Sequence, residues 1–321
     1  MVSTKKTLAL IDEVLERKQD DGFRRHLGAS VIGKKCSREL WYIFRWARRA
    51  QFKARILRLF SRGQDEEPRF VRWLEAAGIQ VWTHTKDGEQ YHVSDIDGHF
   101  GGSLDGVLRG LPDLPAQLCL AEFKTHNEKS FKDLLSKKLK KAKWEHYVQC
   151  QIYMFKRDLK WTLYCAVNKN TDDLYLEIIR LDEEVAKKHL ERARFVIYTD
   201  EPPPRIHTNP RWHECLMCSY HKVCQGFELP AINCRTCAHS TPIEHRGAWN
   251  CALGQTAIDT APKEGCSEHV FNPHILNGVQ MGDGNQKENW VDLVMPNGVA
   301  IRHGPRYIPS HGLGKVYKRC P

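Results

Sequence analysis

Long apolar runs are missing from this 321-residue chain: nothing approaches the ~18 consecutive apolar residues of a membrane-spanning helix. A signal peptide is not expected either, because the opening MVSTKKTLALIDEVLERK gains charge too early. A cytoplasmic, reducing setting is the resulting expectation. Internal repeats and low-complexity tracts are absent, and 41% hydrophobic with 27% charged residues excludes a disordered or collagen-like chain. Acids are scarce relative to bases, 39 against 49, for a formal charge of +10. The stretch from Ile43 to Arg62 holds seven Lys or Arg and no acid at all. Such a balance suggests a polyanionic partner, nucleic acid ahead of an anionic membrane surface.

Cysteine, by contrast, is plentiful, with twelve residues. In a reducing compartment they are not read as a disulfide framework, which leaves metal ligation and plain burial. Cys119, Cys150 and Cys165 fall in apolar segments and are expected to behave as small buried hydrophobes. Cys320, next to the end of the chain, carries no reading. The other eight are Cys36 and seven residues beyond position 210. Cys215, Cys218 and Cys224 form C-x2-C-x5-C, and their thiolates together with Cys36 suit iron-sulfur and zinc alike. Cys234 and Cys237 form a C-x2-C knuckle, followed by Cys251 and Cys266, a pattern expected of tetrahedral structural Zn²⁺. His239, His245 or His269 could each replace one of those cysteines.

Periodicity predicts an α/β unit with a mixed sheet flanked by helices. Helices are expected over residues 5–18, in a segment containing Cys36 that Ser30 could cap, and over 61–77 with Pro68 delaying or kinking the last. Short β-branched or aromatic runs predict strands over 79–85, 89–94, 99–108 and 118–125. A Lys-dense helix over 129–143 and an apolar one over 144–155 follow, then strands 161–167 and 174–181 and a helix from Asp182 to Tyr198. The segment EPPPRIHTNP, Glu201 to Pro210, is the clearest break. The expected organisation is an α/β domain over 1–228, a zinc-binding module over 229–275 and a small β appendage over 276–321.

The chemistry concentrates in two runs. In GGSLDGVL, Asp105 sits in a predicted strand flanked by glycines; seventeen residues on, LAEFKT supplies Glu122 and Lys124, which alternation puts on one face. Two carboxylates converging from neighbouring strands make a hard oxygen site for Mg²⁺ or Mn²⁺, beside which a Lys can orient water or stabilise developing charge. Taken alone, E-x-K is also compatible with a same-face ion pair on an exposed strand.

Asp105 followed by Glu122-Phe123-Lys124 resembles the signature of the PD-(D/E)xK nuclease superfamily. Gly63-Gln64-Asp65-Glu66-Glu67 is similar to that family's upstream helix motif G-x-x-x-(E/H), and Gln149-Cys150-Gln151-Ile152-Tyr153 to the Q-x-x-x-Y motif of its RecB branch. The resemblance implies that Glu67, Asp105 and Glu122 bind the divalent metal and that Lys124 positions the attacking water. Gln149 and Tyr153 would orient the metal site or the scissile strand. Glu66 is the alternative to Glu67 by one register. Glu at this place looks more like the phage recombination exonucleases related to lambda exonuclease. The layout of one cysteine before the core and three behind it resembles the iron-sulfur subset that includes AddB and the four-cysteine nucleases of CRISPR adaptation. It implies that Cys36, Cys215, Cys218 and Cys224 hold a 4Fe-4S cluster joining the two ends of the domain.

The function expected is therefore a metal-dependent DNA exonuclease that prefers single-stranded or frayed ends. The resemblance implies 5′-phosphate and 3′-hydroxyl products and a setting in phage or mobile-element recombination, with a possible recombination partner protein. A non-catalytic DNA-binding recombination mediator with structural metal sites is the alternative; a redox protein would leave the acids unexplained. From Lys124 to Lys143 eight lysines face two acids, so that basic segments flank the acids on both sides in sequence. Trp41, Tyr42, Phe44 and Trp46, interleaved in the first, are either core at helical spacing or stacking partners for unpaired bases.

Overall fold

The computed structural model describes residues 4–254 and 262–317. Cys320 and part of the expected zinc module therefore lie outside the described residues. The chain opens with α1 (Lys5–Lys18), the short β1 (Leu27–Gly28) and α2 (Ser37–Phe44). Ser30 does not cap α2; Cys36 does, its Sγ accepting from the Glu39 amide. The next helix, α3 (Ala54–Ala76), begins seven residues earlier than the apolar pattern suggests and runs through Pro68 without a break. Its early start follows from tertiary contact: Glu16 Oε1 on α1 accepts the otherwise orphan Ala54 amide at 3.0 Å, and Arg58 pairs with Asp12.

Five strands form the main sheet. They are β2 (Gln80–Trp82), β5 (Gly106–Leu111), β6 (Leu114–His126), β7 (Trp161–Asn168) and β8 (Leu174–Arg180), adjacent in that order. Only β6 and β7 are parallel, and the connection between them supplies α4 (Glu128–Ala142) and α5 (Trp144–Lys156). Both faces of the centre are covered. Cys119, Ala121 and Phe123 of β6 pack with Phe70 and Leu74 of α3, whereas Leu120 joins Val148 and Ile152 of α5 in the larger core. Such double burial explains why β6 is nearly continuously buried from Cys119 to Phe123 instead of alternating. Cys119, Cys150 and Cys165 are all buried.

The strand expected over 99–108 is in fact two. β4 (Phe100–Ser103) belongs to a second sheet, between β1 and β3 (His92–Asp95), and β5 belongs to the main one. At the crossover the Leu104 amide donates to Tyr91 O at 2.8 Å and Gln90 Nε2 donates to Leu104 O at 3.1 Å. Asp105 is consequently not in a strand but at the junction between two sheets.

α6 (Glu183–Tyr198) closes the α/β unit. Beyond the proline break come α7 (His213–Leu216), α8 (His221–Gln225), the hairpin β9 (Ser240–Pro242) and β10 (Trp249–Cys251), the antiparallel β11 (Gln280–Asn285), β12 (Trp290–Val294) and β13 (Ala300–His303), and α9 (Ser310–Tyr317). These segments share one core with the α/β unit: Trp249, Phe271, Leu293 and Leu313 belong to the same cluster as Trp41, Phe100 and Val148. The side chain between the knuckle cysteines is part of it. Arg235 is buried with its guanidinium 3.7 Å from the Trp46 ring and 4.9 Å from Trp249, and it donates to Phe44 O at 2.9 Å. No described helix is long and apolar enough to cross a membrane.

Candidate active site

The acids meet where β4 passes into β5. Asp105 Oδ2 accepts the Phe123 amide at 2.7 Å, which fixes its carboxylate against β6, and Lys124 Nζ stands 3.7 Å from the same oxygen. Lys124 Nζ also contacts Glu122 Oε1 directly and donates to Phe123 O at 3.1 Å. Glu122 is 0% exposed, and its second oxygen, Oε2, is buried without a hydrogen-bond partner among the described residues. Burial raises its pKa to about 7 against the pull of Lys124, with Asp105 adding to the rise. Burial works against the charge on Lys124 as well, yet Glu122 and then Asp105 hold that ammonium above its ordinary value.

The two candidate acids of α3 part company here. Glu67 is half-buried, and its pKa is raised by burial and then by Asp105, with Lys124 opposing, so it shares the field of the site. Glu66, only 5% exposed, instead takes Arg69 in a two-oxygen pair at 2.7 and 2.8 Å. One register on a helix is a rotation of about 100°, enough to send neighbouring carboxylates to different surroundings.

From the other side, α5 presents Gln149 and Tyr153, both buried. The Tyr153 hydroxyl is kept protonated by burial and then by Glu122, with Gln149 hydrogen-bonded to it. Its seat requires glycine: a Cβ on Gly102 of β4 would lie 2.3 Å from Tyr153 Oη. The six residues Glu67, Asp105, Glu122, Lys124, Gln149 and Tyr153 thus come together beside β6 from α3, the β4–β5 junction, β6 and α5. Sequence reasoning missed His146 and Tyr164. His146 lies on the Gln149–Tyr153 face of α5, three and seven residues earlier, and Tyr164 stands opposite Glu122 in the β6–β7 register.

All four thiols of the first cysteine set, Cys36, Cys215, Cys218 and Cys224, line one cavity of about 280 Å³. Burial, and then Glu39, pushes the Cys218 thiol up to about 12. In the second set, burial and then Cys237, Cys266 and Cys251 push Cys234 up to about 12, so the four lie within each other's electrostatic reach. The histidine alternatives are otherwise engaged. His269 bonds Ser310 Oγ at 2.7 Å and Asn233 O at 3.1 Å, His239 bonds Asn289 Oδ1 at 2.6 Å, and His245 is exposed. Among the described residues no group of three or more His, Cys, Asp or Glu is arranged so that it could hold a metal ion.

The basic segments contribute less free charge than their composition suggests. Arg45 is buried between the Trp41 and Trp249 rings, Arg49 faces Asp21 and Glu264, Lys53 faces Glu16, and Arg58 faces Asp12. Trp41, Tyr42, Phe44 and Trp46 are buried and belong to the core, so none is available to stack on a base. In the second segment, Lys129, Lys132 and Lys143 rim an open groove of about 670 Å³ with Asn127 and Ser130.

No known protein family and no curated protein matches the chain. Among solved structures it is similar to an alkaline exonuclease, LHK-Exo, from Laribacter hongkongensis: 16% identity over 57% of this chain and 90% of that one, TM-score 0.39. The same exonuclease in complex with dAMP aligns at 17% identity over 54% and 86%, TM-score 0.37. SSO0001 aligns at 15% identity over 68% and 96%, TM-score 0.38. At these scores the reading of the site rests on its own residues.

Proposed function

We propose that the chain is a metal-dependent deoxyribonuclease of the PD-(D/E)xK kind, acting from strand ends. The observation that carries this is the buried carboxylate Glu122, one oxygen against the Lys124 ammonium and the other unpartnered, with Asp105 and Glu67 in the same field. An unpartnered buried carboxylate oxygen among further carboxylates suits a hard cation. Glu67, Asp105 and Glu122 would hold Mg²⁺ or Mn²⁺, which when bound polarises a phosphoryl oxygen and lowers the pKa of water. Lys124, kept charged by the acids, positions the attacking water and offsets charge that builds on the phosphate. Tyr153 and Gln149 align the strand from the α5 side.

The cysteines fit a structural role beside this site. Four thiols around one cavity suit a 4Fe-4S cluster on Cys36, Cys215, Cys218 and Cys224, and the second quartet suits Zn²⁺ on Cys234, Cys237, Cys251 and Cys266. Held in this way, the segments before and after the α/β unit would enclose the site and favour a threaded single strand over a duplex lying across it. A role in recombination, with a partner protein, rests on the family resemblance.

The test uses end-labelled single-stranded DNA, linear and covalently closed, with Mg²⁺, Mn²⁺ or EDTA. Cleavage of the linear strand that requires metal, and that Asp105→Ala and Lys124→Ala reduce at least ~10³-fold while binding in Ca²⁺ persists, is the expected result. Full activity in Asp105→Ala would remove the assignment of the site. Degradation of the circle at the rate of the linear strand would replace the exonuclease with an endonuclease. A chain that binds DNA but never cleaves it would be a non-catalytic mediator.

A further inference from the structure

Beside the acids lies a hydrogen-bonded row of side chains that metal binding does not use. Ser130 Oγ is 2.8 Å from His126 Nδ1, His126 Nε2 is 3.0 Å from Tyr164 Oη, and Tyr164 Oη is 2.9 Å from His146 Nδ1. Tyr164 is fully buried opposite Glu122 in the sheet, so the row passes directly behind the site. Its outer member, His146, is half-buried on the face of α5 that carries Gln149 and Tyr153. Ring Nε2 of His146 has no hydrogen-bond partner among the described residues.

Proton bookkeeping gives that atom a defined character. Burial, and next the Lys124 ammonium, pushes His146 down to about 3; burial, then Lys143 and Lys124, pushes His126 to about 4. Both rings are therefore neutral near pH 7, each with one donor and one acceptor nitrogen. Starting from a Ser130 hydroxyl that donates to His126 Nδ1, His126 Nε2–H donates to Tyr164 Oη. Tyr164 then donates to His146 Nδ1, and His146 Nε2–H is left over. Run the other way, the row ends in a bare nitrogen that an anionic oxygen would repel. A phosphate arriving at His146 selects the first direction along all four groups.

We propose that His146 contacts the substrate, donating Nε2–H to a phosphodiester oxygen of the bound strand, with Tyr164, His126 and Ser130 holding its ring and tautomer. This rests on the nuclease reading and adds one substrate-contacting side chain to it. The competing role is structural, in which His146 serves only to complete the bonding of Tyr164. The two differ in which nitrogen matters. Asparagine reproduces the position of Nδ1, which faces Tyr164, and glutamine that of Nε2, which would face the strand.

The experiment measures single-strand binding in Ca²⁺ and kcat/KM in Mg²⁺ for wild type, His146→Ala, His146→Asn and His146→Gln, with thermal midpoints alongside. The contact predicts about tenfold weaker binding for Ala and Asn and recovery of most of that loss in Gln, as expected when one hydrogen bond to a charged acceptor is removed and restored. Tyr164→Phe, which frees the ring without removing it, should give a smaller loss of the same sign. Recovery by Asn and not by Gln would overturn the proposal in favour of the structural role, and so would equal behaviour of all three variants. Wild-type protein that neither binds nor cleaves DNA would instead sink the nuclease reading itself, a result visible before any variant is compared.

Discussion

Glu122 shows what a single residue has to tolerate here. Its carboxylate is buried, and burial raises its pKa from 4.5 to about 7 even with an ammonium in contact. The folded, metal-free chain therefore holds this proton more tightly than the unfolded chain. The sign follows: metal-free stability falls as pH rises from about 4.5 through about 7, because the ionised form is the one the fold disfavours. Glu122→Gln removes that charge, so in EDTA at pH 8 its thermal midpoint should exceed wild type by roughly 3 °C, and the fall with pH should flatten. Mn²⁺ should reverse the order, raising the wild-type midpoint and leaving Glu122→Gln unmoved. A wild-type midpoint indifferent to Mn²⁺, Mg²⁺ and Ca²⁺ would show that no ion uses this carboxylate. A buried carboxylate with one oxygen left without a partner is what a functional site leads one to expect.

At the scale of elements, the seat of Tyr153 depends on β4 more than on its own helix. A Cβ on Gly102 would stand 2.3 Å from the hydroxyl oxygen, closer than real contacts allow, and 3.2 Å from Cζ, a tight contact. Gly102→Ala should therefore displace Tyr153, cost ~1–3 kcal/mol of stability as overpacking does, and depress cleavage. Tyr153→Phe removes the nearer of those two contacts. The double variant should recover part of the stability lost in Gly102→Ala, a coupling that denaturant midpoints of all four proteins would read; strictly additive losses would mean that the ring has another way out. The same segment marks the limit of what was legible in sequence. Period-two alternation places Glu122 and Lys124 on one face and helical spacing pairs Gln149 with Tyr153, because both patterns are local. Residues 99–108 read as one strand because nothing local announces that Leu104 will be tied to Tyr91 and Gln90 while the chain changes sheets. The choice between Glu66 and Glu67 likewise depends on Arg69 and Asp105, partners that the helix pattern does not reveal. The start of α3 at Ala54 depends on a carboxylate thirty-eight residues away. Part of the basic count around Ile43 to Arg62 is offset for the same reason, since the acids facing Arg49, Lys53 and Arg58 lie on α1 and in loops.

At the scale of the whole molecule, one side chain that composition would have put on the surface helps to tie the cysteine-rich half to the α/β unit. Arg235, between the knuckle cysteines, is buried with its guanidinium over Trp46 and beside Phe44 and Trp249, and donates to Phe44 O at 2.9 Å and Arg25 O at 2.6 Å. Asn233 adds a bond from Nδ2 to Trp46 O at 3.0 Å. The segment that would hold zinc is thus plugged into the aromatic residues that close the N-terminal part of the α/β unit, and the two share a core. A separate module should melt separately; a plugged one should not. Arg235→Met keeps much of the volume and removes both carbonyl bonds, each worth ~1.5–3 kcal/mol when the donor is charged, partly offset because no carboxylate had repaid the burial of that charge. A net loss of ~2 kcal/mol should lower the thermal midpoint by several degrees in a single transition, with the sheet signal in circular dichroism and tryptophan fluorescence moving together. If Cys234, Cys237, Cys251 and Cys266 hold Zn²⁺ as proposed, a strong chelator should act on the same transition, because losing the ion would loosen the knuckle that presents Arg235. Two resolved transitions, with the α/β signal unmoved by either treatment, would mean that the cysteine-rich half folds as a separate unit and that Arg235 merely rests against its neighbour.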